Sequence, residues 1–209
     1  MNIKKFTKII DGKNVNTYCD ETLSVQAESI LEMIGNTQKS KNILQDGYKI
    51  QIGWSMYFIN LIDGELAITI PDYKKNPFKD TESDISLAVL VQMQQNDMLR
   101  QTNMEGEYVT FQDTMIILKD ALDSSDLFFV REETEKAKDS GWYLGLLSDA
   151  ENRESRPVSD YISVHTYQLL TIKPELLKLL FLPTGSMAII KYDEITEILD
   201  ADNNLILSS

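Results

Sequence analysis

The sequence predicts an α+β fold: mainly antiparallel sheet with flanking helices. Three observations carry that expectation. Apolar, β-rich runs come in groups and do not alternate regularly with helices. Two of these runs are joined by Asp63-Gly64, a dipeptide favoured in tight hairpins. Residues 20–34 and 85–103 place apolar side chains at helical spacing. The 209 residues are 43% apolar and 25% charged, which suffices for a sizeable core and lies outside the composition of disordered chains. The expected organisation is one α+β unit over 1–209, in three parts: an N-terminal helical segment (1–46), a hairpin plus helix (47–107) and a C-terminal module (108–209).

Each element has its own signal. In "MNIKKFTKIIDGKN" the apolar stretch is broken by Lys8 and stopped by Asp11-Gly12, too short for a signal peptide. No run approaches the roughly 18 uncharged apolar residues of a membrane span. A soluble cytoplasmic protein without a membrane partner is expected, and one cysteine, Cys19, leaves no internal disulfide. Residues 20–34 then read as an amphipathic helix with Leu23, Ala27, Ile30, Leu31 and Ile34 on one side, Asp20 as N-cap and Gly35 as the stop. A polar linker, 36–42, leads to Gly47 and the two β-rich runs around Asp63-Gly64.

Residues 71–84 hold two prolines and read as an ordered loop, with Ser83 or Asp84 capping a second helix whose apolar positions Ile85, Leu87, Ala88, Val91, Met93, Met98 and Leu99 mostly fit one wide stripe. Gly106 lies just past its end. Strand candidates follow in "YVTFQDTMIIL", "DLFFVRE" and "DSGWYLGLL", the first two separated by the acidic turn "KDALDSSD". "KPELLKLLFLPTG" reads as a short helix that starts at Pro174, ends at Pro183 and Gly185, and is apolar nearly all round, so it must be covered. "SMAIIKY" and "EITEILDADNNLIL" supply strands, or a helix-strand pair, around Asp202-Asn203-Asn204.

The residue types of catalysis are sparse. His165 is the single histidine, set in an alternating run, and no companion motif makes a nucleophile-base pair with it. Cys19 precedes a helix start but has no second cysteine or motif beside it. No G-x-G-x-x-G, P-loop or G-x-S-x-G occurs. One histidine and one cysteine cannot furnish a four-ligand zinc site without unusual carboxylate ligation. "DADNN" mimics the start of a calcium loop but has Leu205 where a glycine is needed, so it reads as a turn. Among 33 acids some pair will always face across a cleft, and nothing nominates one, so a carboxylate-dependent hydrolase stays a minor alternative. We therefore expect no catalytic residue, no cofactor and no metal.

Charge is more informative. Residues 1–104 carry 11 basic against 13 acidic side chains, net −2, and residues 105–209 carry 9 against 20, net −11. Such a field repels nucleic acid and anionic lipid and attracts a basic partner. Lys74, Lys75 and Lys79 form one small loop cluster, which is no basic stripe for nucleic acid. Candidate partner-binding residues are Asp120, Asp123 and Asp126 in one turn, Glu132, Glu133 and Glu135 in the next, and Asp149, Glu151 and Glu154 beyond Trp142. For each acid the competing reading is a solvated face. Trp54 and Trp142 each follow a glycine, and a core ring beside a close backbone approach is the simplest account. As an interface anchor, Trp142 would join the candidates.

The ordered set of "DLFFVREETEKAKDSGWYLGLLSD" and "VHTYQLLTIKPELLKLLFLPTGSMAIIKYDEITEI" resembles the thirty-third family of bacterial toxin-immunity proteins, described around a DSGW-type module. The likeness covers about residues 108–200. It implies a non-enzymatic protein that binds and neutralises a cognate toxin, and it transfers no interface residue by motif. A scaffold or interaction subunit without a toxin is the remaining alternative.

Overall fold

The computed structural model describes residues 2–150 and 156–208; the candidates Glu151 and Glu154 lie outside the described residues. The chain is α+β, with two mostly antiparallel sheets and a few helices. Its contacts divide it into two compact units, Met1–Met93 and Gln94–Ser209.

The first unit opens with a hairpin, β1 (Ile3–Ile10) and β2 (Lys13–Asp20), ahead of the expected helix. Asp11 and Gly12 both take positive φ, 50° and 73°, which is the two-residue turn that matches strand twist. The Asp20 carboxylate accepts the Thr22 N–H and caps a 3-10 turn, Glu21–Leu23, that runs into α1 (Ser24–Ser40). Gly35 does not stop α1. It lies inside the helix with no positive φ, and a Cβ there would meet Ile10 at an ordinary 3.6 Å. Glycine costs a helix only about 1 kcal/mol against alanine, so the turn beyond it still forms. Gln38 Oε1 then accepts the N–H groups of Ile43 and Leu44, fixing the exit.

Strands β3 (Tyr48–Ile52), β4 (Ser55–Ile62) and β5 (Glu65–Pro71) form successive hairpins. Gly53-Trp54 is itself the first turn, with Gly53 at φ 58°, and Asp63-Gly64 is the second, at 51° and 82°. The glycine before Trp54 thus ends one strand and starts another. The short β6 (Thr81–Glu82) pairs with β5, and the sheet order is β1-β2-β5-β4-β3 with β2/β5 parallel. Trp54, 1% exposed, stacks on Tyr73 at 5.0 Å. Asp84 accepts the Ser86 N–H at the start of α2 (Ser86–Thr102). Asn103, at φ 53°, takes the left-handed position that ends α2, and Gly106 is not needed for it.

The second unit is a seven-stranded sheet. Its strands are β7 (Thr114–Leu118), β8 (Asp126–Arg131), β9 (Asp139–Leu146), β10 (Tyr161–His165), β11 (Met187–Lys191), β12 (Glu194–Leu199) and β13 (Leu205–Ser208), in the order β10-β7-β9-β8-β11-β12-β13. β7/β9 is parallel and the other pairs are antiparallel. "EITEIL" is therefore a strand. The leucine-rich segment is a 3-10 helix, Pro174–Leu179, after a short α3 (Leu169–Ile172), and Leu176, Leu177 and Leu179 are at most 3% exposed. The leucines of this largely apolar segment are covered, as its pattern requires, while Pro174 is exposed and Glu175 and Lys178 are partly so. Period-2 alternation puts Phe129, Arg131, Trp142 and Leu144 on the face toward those leucines, and Phe128, Val130, Tyr143, Ile116 and Tyr161 on the other.

Candidate functional site

Each residue of Asp139-Ser140-Gly141-Trp142 has a separate structural task. Asp139 Oδ1 accepts the Gly141 N–H at 3.0 Å. Ser140 Oγ donates to Thr114 O at 2.8 Å and accepts the Trp142 N–H at 3.2 Å. Gly141 sits at φ +75°, and its carbonyl accepts the Glu132 N–H at 2.9 Å. Trp142 stacks on Phe129 at 4.1 Å and donates its indole N–H to Leu180 O at 3.1 Å. The register explains the motif: β7 advances two residues, Thr114 to Ile116, while β9 advances four, Asp139 to Tyr143. This bulge turns the chain out of the ladder and re-aims the Trp142 and Tyr143 side chains.

Arg131 locks the bulge from the core side. Its guanidinium, 8% exposed, donates to Ser140 O at 3.1 Å, Glu107 O at 3.1 Å and Leu182 O at 2.7 Å, with the Glu107 carboxylate at 3.5 Å. The sequence contains no hint of Glu107 as its partner, since 24 residues separate them.

Above the bulge is a cleft of about 450 Å³. Glu132, Glu133 and Asp139 line it together with Ile116, Tyr143 and Tyr161, so an acidic rim stands over an apolar and aromatic floor. Glu132, Glu133 and Glu135 are exposed. Tyr161 is open to sequence reasoning, because "YISVH" alternates and places Tyr161 with Ser163 and His165 on one face.

The remaining candidates sit elsewhere. Asp120, Asp123, Asp126 and Asp149 follow the ends of β7 and β9 or begin β8, and all three positions lie at the sheet end opposite the bulge. Along the unbulged β8, the six steps from Asp126 to Glu132 separate the two ends by roughly 20 Å, at about 3.3 Å per residue. There Arg156 pairs with Asp149 and, at 3.0 Å, with Asp120, and these carboxylates hold the guanidinium pKa up, Asp120 foremost. The structure therefore divides the acids into two groups and commits two members of one group to an internal arginine. Trp142 also lines the cleft, but at 1% exposed its ring belongs to the core and presents almost no surface there.

Other singled-out residues have structural roles. His165 Nδ1 lies 2.7 Å from Gln112 O, and its backbone N–H donates to Gln168 Oε1. Cys19 is fully buried, and burial raises its thiol pKa, against thiolate chemistry. Asp200 accepts from the N–H groups of Asp202 and Asn204 and closes a turn. Among the described residues, no group of three or more His, Cys, Asp or Glu is arranged to hold a metal ion, and no helix is long and apolar enough to cross a membrane.

The bulge, its lock and its cleft all fall in the segment that defines the chain's class, that of immunity-protein domains. The model of the Imm33-like domain matches residues 94–201, just over half of the 209. The chain belongs to the Imm33-like domain family. No curated protein and no solved structure matches it.

Proposed function

We propose that this protein is an immunity protein that binds a cognate bacterial toxin in the cytoplasm and neutralises it by occlusion, without catalysis of its own. The observation that carries this reading is the cleft over the bulge: carboxylates at its rim and Ile116, Tyr143 and Tyr161 beneath suit a lysine or arginine, whose aliphatic stem takes the apolar floor and whose charge meets the rim. Family membership supports a toxin as the partner. The net charge of −13 supports a basic one, because opposed fields speed association. Glu132 and Glu133 are the acids we assign to the contact. Asp120, Asp123, Asp126 and Asp149 act at its periphery or keep the far end solvated, and the same holds for Glu135.

Co-expression tests the reading. Cells carrying the toxin gene adjacent to this one should survive only with this protein present, and the pair should elute as one complex on a sizing column. Killing undiminished by co-expression, or two separate elution peaks, would overturn it and favour a scaffold without a toxin.

A further inference from the structure

The first unit holds a second cleft, outside the segment of the Imm33-like domain and lined by none of the residues of the proposed contact. The end of β2, the 3-10 turn after it, β6 and the first turns of α2 surround about 590 Å³, within the range of small-molecule sites, about 300–1,000 Å³. Leu23, Leu87 and Leu90 supply its apolar wall. Leu87 and Leu90 stand one helical turn apart and remain partly exposed, while Ala88, Val89 and Val91 of the same helix are buried.

The charged groups around this wall differ in how they are engaged. Asp20 accepts from Thr22 N at 2.9 Å, Thr22 Oγ1 at 2.6 Å and Asn2 N at 3.2 Å. Asp84 accepts from the Ser86 N–H at 3.0 Å and from the Ser86 hydroxyl. Glu21 is paired with Lys4. These three are consumed by capping and by an ion pair. Glu82 differs: its carboxylate makes no hydrogen bond or ion pair among the described residues, although it is only partly exposed. Burial, then Asp72, push its pKa up, and Lys74 and Lys75 offset this only in part, so its charged form is held at a cost that a bound cation would offset. Lys74 is the cation that lines the cleft, against four carboxylates.

We propose that this cleft binds an aliphatic ammonium group, with the cation on Glu82 and the methylene chain on Leu23, Leu87 and Leu90. An ammonium without a chain would leave the leucines wet, and an apolar chain without charge would leave Glu82 as it is. The chemistry has two sources, a free alkylamine or a lysine side chain of another protein. Neither depends on the toxin reading.

The test is calorimetric titration of the full chain with n-hexylamine, Nα-acetyl-lysine methylamide and n-hexanol. Saturable binding of either amine, with n-hexanol weaker, supports the site, and the tighter amine identifies the source. Glu82→Gln should weaken the amine by about tenfold, the loss of one charge-assisted hydrogen bond. Leu90→Ala should weaken it as well. Asp123→Lys, in the second unit and lining neither cleft, should leave it unchanged, and co-expression reads the toxin reading separately, so a failure here and a failure of the toxin reading are distinguishable. No saturable amine binding, equal binding of n-hexanol, or full affinity in Glu82→Gln would overturn the proposal.

Discussion

The carbonyl oxygen of Glu132 lies 2.1 Å from the point where a Cβ on Gly141 would stand. Together with φ +75° this leaves glycine as the fitting residue: a side chain there strains the backbone and strikes a backbone atom that cannot rotate away. Gly12, at φ +73°, has nothing within 4 Å of the same point, and so isolates the conformational part. Gly141→Ala should therefore cost about 2–4 kcal/mol, and Gly12→Ala about 1 kcal/mol. Urea unfolding midpoints of the two variants against the parent check the difference. Equal losses would show that the close approach relaxes without penalty.

Arg131 anchors three buried or half-buried carbonyls from separate parts of the second unit. Arg131→Met retains the aliphatic stem and abandons all three acceptors, each worth about 1–3 kcal/mol when left unsatisfied, so a loss of about 3 kcal/mol or more is expected. Arg131→Lys should recover only part, because one ammonium cannot reproduce the planar fork. Chemical denaturation of both variants separates charge from geometry. A lysine variant as stable as the parent would mean that the fork is dispensable.

The hairpin at Asp63-Gly64 is legible in the sequence because both flanking runs are apolar, and the same dipeptide at Asp11-Gly12 is not, because lysines interrupt the run before it and the run after it, from Lys13 to Thr17, is mostly polar. Seven of the eight β1 positions are exposed or only partly covered, so no period-2 burial marks that strand. Gly35 carries the local signal of a helix stop, and local signals cannot weigh a glycine's small helix penalty against the packing of Ile30, Leu31 and Ile34. The site is legible only as a set of acids. Which sheet end holds Asp120 and which holds Glu132 depends on the parallel β7/β9 pairing, a non-local choice that neither segment carries alone.

Two carboxylates of the first unit should respond to pH with opposite signs. Hydrogen bonds from Thr22 hold Asp20 below the usual carboxylate range, so its contribution is present above the unfolded value, about 3.9, and fades as pH falls through the folded one. Burial holds Glu82 above its usual range, so its contribution is present below about 4.3 and is lost as pH rises through the folded value. Asp20→Asn should thus melt below the parent at pH 7, with the gap narrowing in acid. Glu82→Gln should melt above the parent at pH 7, with that gap also closing in acid. Thermal midpoints at pH 7 and pH 4 check both, and a Glu82→Gln variant that melts lower at pH 7 would contradict the second.

The separation of the two acidic groups along β8 gives the proposed contact its sharpest test. Charge reversal at the bulge end, Glu132→Lys with Glu133→Lys, removes two of the three carboxylates that rim the cleft and adds like charge against a basic partner. Association with the toxin should slow by about tenfold or more at low ionic strength, with a weaker salt dependence. Reversal at the far end, Asp123→Lys with Asp126→Lys, changes net charge by the same amount and spares Asp120 and Asp149, which Arg156 holds. Roughly 20 Å is more than twice the Debye length of about 8 Å at physiological salt, so this pair should alter the rate by less than about threefold there. Surface-plasmon association rates across a salt series read both variants. Equal effects at both ends would mean that net charge steers the encounter and that the cleft has no special part in it, and a larger effect at the far end would move the contact to the Asp123 side of the sheet.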